Sequence, residues 1–315
     1  MTKFTPKHTD LRDAVFEEIF ELAKKDKNVV LLMGDQDAAS FKKFRAEIPN
    51  QLFNVGIMEQ NMISVSAGLT LGGKKVFAHS ITTFLTNRAY EQIKVDLGLM
   101  GLPVVLVGVG PGYTYGSDGP THHANEDVAT MRAIPGMTIY SPSDTVSLEQ
   151  FPHLAYKAKG PVYIRFDKGS VPALYDGTHD FNDGLGLLKE GKDACIVSTG
   201  LMVHKALAVS DMLKEKGFDV GVIDMYRLKP VNEKLLAKYL QGTSAVITLE
   251  EHTIHGGLGS IIADFLADNN LKLNFKRFGI PDKHCYAYGD REYMHVAMHL
   301  GKDKIVGDIA GWLKK

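Results

Sequence analysis

The sequence predicts an α/β protein of two doubly wound domains, each with a mostly parallel sheet. Two observations carry that expectation. Short apolar runs of strand length alternate with segments of helical period, the pattern of strands buried on both faces and joined by crossover helices. A stretch of loop composition, with Lys168-Gly169-Ser170, Asp176-Gly177-Thr178-His179-Asp180 and Asn182-Asp183-Gly184, interrupts the alternation, and a second series follows it. The boundary falls near residue 185, giving domains 1–185 and 186–315.

In the first domain, residues 11–25 read as a helix, with Leu11, Val15, Phe16, Ile19, Phe20 and Leu22 at helical spacing. Residues 28–33 form a buried strand that ends at Gly34-Asp35-Gln36-Asp37. The run Asn54-Val55-Gly56-Ile57-Met58 then turns at glycine and delivers Glu59 to the mouth of a helix. Its continuation, 63–71, is small and aliphatic (Ser64, Val65, Ser66, Ala67, Gly68) and reads as buried on most sides. Strands at 75–79, 103–109, 137–140 and 161–166 alternate with helices starting near Glu59, Phe84, Asn125 and Asp144. In the second series, strands at 194–198, 220–224 and 245–249 alternate with helices at 205–216 and 259–269. Ligands of such sheets gather at the carboxyl ends of strands, where the informative loops fall.

Composition narrows the function. A chain of 315 residues, 44% hydrophobic, can bury two ordinary α/β cores. A net charge of −1 excludes a dominant electrostatic attraction to nucleic acid or to an anionic membrane. No apolar stretch is long enough to span a bilayer, and residues 1–8 lack the apolar core of a secretory signal. Cys195 and Cys285 support neither a disulfide framework nor a metal cluster. These features point to a soluble, cytoplasmic protein.

Among the motifs, Glu59 is the most informative. A lone carboxylate entering a buried helix is costly unless it caps backbone N–H groups or serves a chemical role. Two later segments suggest such a role. They are Thr83-Phe84-Leu85-Thr86-Asn87-Arg88-Ala89-Tyr90 and Tyr113-Thr114-Tyr115-Gly116-Ser117-Asp118-Gly119-Pro120-Thr121-His122-His123. In the latter, Gly119 and Pro120 fix a turn, Thr121 can cap the following helix, and His123 fits a helix start. Gly256-Gly257-Leu258-Gly259 lacks the G-x-G-x-x-G spacing and reads as a tight turn that lets a helix pack closely. The spacing of His252, His255 and His284 matches no common metal site.

In this order the segments around Glu59, Phe84 and Tyr113 resemble the pyrimidine-binding half of transketolase-like thiamine diphosphate enzymes. Leu249-Glu250-Glu251-His252 with Gly256-Gly257-Leu258-Gly259 is similar to the C-terminal domain of the same superfamily. The resemblance implies that Glu59 contacts the aminopyrimidine ring and shares a proton with its nitrogen. It implies that Phe84 and Tyr90 pack around that ring, with Asn87 where transketolases often carry another aromatic, and that Asp37 lies close to the cofactor. Asp118 and His122 match the residues that touch sugar hydroxyls. Arg12 matches the arginine that holds substrate phosphate, with Ser40 assisting. A further phosphate-binding cation is either Arg165 or, by spacing, Lys168.

Besides that ambiguity between Arg165 and Lys168, the sequence departs from the family at two places. The diphosphate-binding domain, with its G-D-G motif and metal-binding Asn, has no counterpart; Gly34-Asp35-Gln36 lacks the third glycine. Gly110 stands where transketolases often carry a substrate-facing histidine. The resemblance therefore implies the second subunit of a split transketolase, moving a two-carbon ketol unit from a ketose (phosphate) to an aldehyde. The implied cofactor is thiamine diphosphate, with Mg2+ (or Ca2+) bound mainly by a separate diphosphate-binding subunit and no metal ligand in this chain. The implied assembly is a homodimer within a heterotetramer. One alternative, towards which Gly110 leans, is a decarboxylating 2-oxo acid enzyme, deoxyxylulose-phosphate synthase-like or a dehydrogenase beta subunit. Another is a non-catalytic assembly subunit, which would need none of Glu59, Phe84 and Tyr90.

Overall fold

The computed structural model describes residues 7–314. Most of the N-terminal run read above for a leader thus lies outside the described residues. The chain forms two compact units, one of residues up to Pro111 with Thr130–Asn182, the other of Gly112–Ala129 with Asp183 onward.

The first unit opens with α1 (Leu11–Lys25), whose N-cap Asp10 accepts from the backbone N–H groups of Arg12 and Asp13. The apolar stripe expected along this helix is buried throughout. There follow β1 (Val29–Met33), α2 (Phe41–Glu47), β2 (Leu52–Asn54), α3 (Glu59–Leu71) and β3 (Lys75–Ile81). Next, α4 (Tyr90–Gln92) sits between π-helical turns at Phe84–Arg88 and Ile93–Leu99. The remainder is β4 (Val105–Val109), the second half of α5 (Asp127–Arg132), β5 (Thr138–Tyr140), α6 (Thr145–Tyr156) and β6 (Val162–Phe166). The strands of this unit lie in the order β5-β6-β4-β3-β1-β2, with every neighbouring pair parallel. The chain leaves β1 for β2 on one side and returns to β3 on the other. That reversal makes a switch point at the carboxyl ends of β1 and β3, where open α/β sheets place their ligands.

Two expectations need correction. Helix α3 is not buried on most sides: it buries Glu59, Met62, Ile63, Ser66 and Ala67, while Ser64, Val65, Gly68 and Leu71 are exposed. Small side chains misled the reading, because they suit a close-packed outer face as well as a core. The helix expected near Asn125 begins at Asp127.

His79, on β3, is buried, with its Nδ1–H donating to the Val107 carbonyl at 2.8 Å. The edges of Phe16 and Phe41 pack on it at 4.6 and 6.2 Å.

The second unit contains β7 (Gly186–Lys189), β8 (Ala194–Ser198), α7 (Met202–Glu215), β9 (Val220–Asp224), β10 (Arg227–Lys229) and α8 (Glu233–Tyr239). It continues through β11 (Ala245–Thr253), α9 (Leu258–Asp268), β12 (Asn274–Ile280), α10 (Arg291–Ala297) and α11 (Lys302–Leu313). Its sheet runs β12-β11-β8-β9-β7, parallel except that β7 pairs antiparallel with β9. Tyr113 is buried in the core of this unit with Ile196, Val222 and Ile247. Both cysteines are buried and unbridged. Among the described residues, no helix is long and apolar enough to cross a membrane.

Burial pushes the His79 pKa down to about 4, and the charge of Arg12 adds to the effect. A native pKa below the unfolded value of about 6.5 means that the unfolded chain binds more protons between those values. Stability is therefore full above pH ~6.5 and falls by about 3 kcal/mol on acidification to pH ~4. An NMR titration of His79 should show a midpoint near 4; a midpoint close to that of a free imidazole would contradict the buried neutral ring.

Candidate active site

Glu59 is the first residue of α3 and is 1% exposed. The turn before it uses Gly56 at φ +74°, a conformation open to glycine at no steric cost. Its Oε1 accepts from Ser80 Oγ at 2.9 Å, and its Oε2 accepts from Arg88 Nη1 at 2.6 Å. The capping role weighed for this carboxylate is thus not the one it plays: among the described residues both oxygens take side-chain donors. The helix N-terminus still favours its negative charge. The Arg88 guanidinium lies over the Phe84 ring, 4.4 Å from its centroid. A Cβ on Gly34 would come within 3.1 Å of Ser80 Oγ and 3.6 Å of Glu59 Oε1, so a glycine at the end of β1 permits this close approach. Ser80 and Arg88 were not singled out from the sequence. The available signal was Arg88 four residues after Phe84, one helical turn along the same face.

The other residues singled out in the first unit divide into buried and exposed. Ser40 Oγ and Arg12 Nε are both buried without a hydrogen-bond partner among the described residues. The structure brings them towards one imidazole: Arg12 acts electrostatically on His79, and Phe41, next to Ser40, packs on the same ring. Arg165 is buried in β6, with Nη1 donating to Ser141 Oγ at 3.1 Å, whereas Lys168 is exposed beyond the end of that strand. Asp37 is exposed and pairs with Arg45 at 3.1 Å. Asn87 is exposed and donates to Thr83 Oγ1 at 3.4 Å within its own turn. Phe84 and Tyr90 are half-buried.

Asp118 and His122 belong to the second unit. Asp118 is exposed and His122 half-buried. Thr121 does not cap α5; its hydroxyl meets His122 Nδ1 at 3.1 Å. His123 does not start a helix either, but is buried against the Tyr113 ring with centroids 4.9 Å apart. The segment is fastened to β11. Thr253 N–H donates to the Asn125 carbonyl at 2.7 Å, and Ala129 N–H to His252 Nε2 at 3.3 Å. A Cβ on Gly112, at φ +59°, would lie 2.0 Å from Glu251 Oε2.

Glu251 is itself held by Arg291, whose Nε donates at 2.8 Å and whose Nη2 also bonds it, and by His295 Nε2. Lys205 donates to His295 Nδ1 at 2.6 Å, which leaves the imidazole proton on Nε2, facing Glu251. Lys205 is fixed in turn by Glu292 at 2.9 Å and the Leu300 carbonyl at 3.1 Å. Glu250 Oε2 and Oε1 accept from the N–H groups of Leu258 and Gly259 at 2.6 and 2.8 Å. An internal carboxylate thus takes the donors at the N-terminus of α9, and a Cβ on Gly257 would lie 2.1 Å from its Oε2. The glycine run is a tight turn around Glu250, as the spacing predicted. No group of three or more His, Cys, Asp or Glu able to hold a metal occurs among the described residues.

Residues 7–173 match the transketolase pyrimidine-binding domain, and residues 185–305 match the transketolase C-terminal domain. The chain belongs to the transketolase family. It is 36% identical to a putative transketolase C-terminal section from Methanocaldococcus jannaschii, over 90% of both chains. It is 35% identical to one of the subunits of the apulose-4-phosphate transketolase of Phocaeicola vulgatus, over 93% of both. Among solved structures it is similar to a split-gene transketolase described as an inactive beta4 tetramer. That likeness has a TM-score of 0.86 and 32% identity over 98% of this chain and 99% of that one.

Transketolase membership implies thiamine diphosphate as cofactor. The residues present fit its pyrimidine half: a buried carboxylate and a half-buried aromatic ring lie at the switch point of the sheet. They would hold the ring by one hydrogen bond and one stacking face.

The network around Glu251 yields a prediction independent of the cofactor. Burial alone would raise the Glu251 pKa, but Arg291 and then His295 outweigh it and hold the carboxyl well below its usual range. Glu251→Gln leaves the Arg291 guanidinium without its counter-charge and should destabilise the second unit by about 3–5 kcal/mol, read as a lower Tm. Because the native carboxyl sits below its unfolded value of 4.5, its contribution is complete above that pH and is lost on acidification. The acid limb of the Tm profile should therefore flatten in the variant. An unchanged Tm at neutral pH would show that the network contributes no net stability.

Proposed function

We propose that this chain is the pyrimidine-binding and C-terminal subunit of a split transketolase, acting in the cytoplasm and divided functionally near residue 185. It moves a two-carbon ketol unit from a ketose (phosphate) donor to an aldehyde acceptor. The observation that carries this reading is Glu59, a buried carboxylate aimed by Ser80 beside the Phe84 ring. An assembly subunit has no use for that arrangement.

The reading gives the partner the rest of the cofactor. A separate chain of diphosphate-binding fold holds the diphosphate and its Mg2+ (or Ca2+), anionic groups that need a cation and converging N–H donors. This chain matches subunit-length relatives over nearly their whole span. The first unit also offers apolar surface to a partner: Ile57, Met58, Val65, Leu71, Leu99 and Met100 are all exposed, Leu99 to 82%. Large exposed apolar side chains in that number are what obligate interfaces cover. Two copies of this chain pair within a heterotetramer.

When bound, thiamine diphosphate would supply the carbon nucleophile for cleavage of the bond beside a ketose carbonyl. Glu59 accepts and returns a proton at the ring nitrogen, and Ser80 keeps that oxygen pair in register. Phe84 and Tyr90 exclude water from the ring, with Asn87 and Asp37 at the periphery. Asp118 and His122 orient sugar hydroxyls, and His122 exchanges a hydroxyl proton during cleavage. Arg12 and Ser40, whose buried Nε–H and Oγ–H both await an acceptor, hold substrate phosphate. Arg165 or Lys168 assists them.

Glu59→Gln should lower turnover of the reconstituted enzyme by roughly 10²–10⁴-fold, the usual contribution of a general acid–base group, with the fold intact by circular dichroism. His122→Ala should slow donor cleavage while cofactor affinity stays within a few-fold. A large loss of cofactor affinity with an unchanged rate at saturation would contradict its assignment. The decisive assay for reaction class is acceptor dependence. Ketose consumption should require both the aldehyde and the second polypeptide. Release of CO2 from a 2-oxo acid without any aldehyde, or full activity of the chain alone, would overturn the reading.

A further inference from the structure

Arg88 makes two contacts at once: it donates to Glu59 Oε2 at 2.6 Å, and its guanidinium carbon lies over the Phe84 ring, 4.4 Å from the centroid. A planar, nitrogen-bearing group stacked on Phe84 with an N–H aimed at Glu59 is the arrangement assigned above to the aminopyrimidine ring. We infer that Arg88 is a built-in occupant of the pyrimidine position, which closes the half-site of the isolated chain and must swing out before cofactor enters. The inference rests on the proposed cofactor role of Glu59.

The physical argument is one of compensation. A carboxylate buried to 1% exposure is costly unless paired, so the chain without cofactor needs a cation at Glu59. Arginine suits that position because its fork both pairs with a carboxylate and stacks on an aromatic face, which a lysine ammonium does less well. It also suits removal. The Arg88 side chain is 38% exposed, so it approaches Glu59 from the surface and can return to water without breaching the core. Ser80 remains on Oε1 in either state and keeps the carboxylate oriented. Ligand affinity is reduced by the fraction of molecules in which the site is open. Arg88 therefore holds down cofactor affinity until other contacts, supplied with the diphosphate, make its displacement favourable.

Thiamine without its diphosphate is the probe, because this chain alone contributes the contacts to its pyrimidine. Titrated into the isolated full chain by calorimetry, it should bind Arg88→Ala about tenfold or more tightly than the parent, as expected when a mostly closed site is opened. Arg88→Gln, which keeps a donor but no charge, should gain less, and it replaces the alanine variant if that one fails to fold. Arg88→Ala should also lower the Tm of the isolated chain, and Glu59→Gln in the same chain should restore it, since no unpaired charge is then left. The readout that a merely structural arginine would not move is its own resonance. The Arg88 Nε–H signal, shifted and protected in the parent, should take on the averaged values of exposed arginines at saturating thiamine. If neither Arg88 variant binds thiamine more tightly, or the Arg88 signal is unmoved at saturation, the inference is overturned while loss of binding in Glu59→Gln leaves the cofactor reading standing. If Glu59→Gln binds thiamine as well as the parent, the cofactor reading itself falls and takes the inference with it.

Discussion

A single carboxylate kept out of water organises the first unit. Glu59 starts α3 with almost no exposure, so every neighbouring element must supply something to it. The glycine that ends β1 gives it room, β3 gives it the Ser80 hydroxyl, and the turn after β3 gives it the Arg88 guanidinium. Those elements meet because β1 and β3 are neighbours, paired in register from Val29 with Lys75 to Met33 with His79. The position of the charge is thus a consequence of sheet order. A crossover sequence that put another strand beside β1 would leave Glu59 without its hydroxyl.

The second unit satisfies its buried acids in the opposite way. Glu250 commits both oxygens to the backbone of α9, and Glu251 commits both to Arg291 and His295, with Lys205 behind them. These partners come from the backbone or from side chains that are themselves tied down, so the charges are settled permanently. Their product is rigidity: Glu251 sits where only a glycine at position 112 leaves space, and the segment from Gly112 to Ala129 is seated on β11. Asp118 and His122 lie on that same segment. Glu59, by contrast, is paired to a side chain that reaches in from solvent. A satisfied charge of the first kind builds a scaffold, and one of the second kind can be exchanged for a ligand.

How much of this was legible followed the length scale of each interaction. Helix α1 and strands β8 and β9 stood at their predicted limits, because periodicity over a whole element decides them. The short strands β2 and β10 carry three residues each, too few for a pattern to rise above chance. Glu59, Asp118 and His122 were singled out because local motifs surround them. Arg88 was missed because its meaning depends on a partner 29 residues away, and Ser80 because its partner is 21 away. The loop beginning at Tyr113 follows the fourth strand of the first domain in sequence, yet its aromatic anchor packs into the core of the second unit. Nothing local in a glycine-rich loop tells which core will take its first tyrosine.

Helix α3 joins the chemistry to the assembly. Its inward face carries Glu59, Met62, Ile63, Ser66 and Ala67, and its outward face exposes Val65 and Leu71. In the split-enzyme reading the outward face meets the partner while the first residue of the same helix meets the cofactor. A rigid helix of 13 residues cannot shift at one face without shifting at the other. Docking and completion of the site are then one event rather than two, which suits a cofactor whose two ends are held by different chains. It also explains why an apolar face is left uncovered on a subunit whose interior is otherwise well filled. Covering it before the partner arrives would separate the geometry of Glu59 from the arrival of the groups it has to serve.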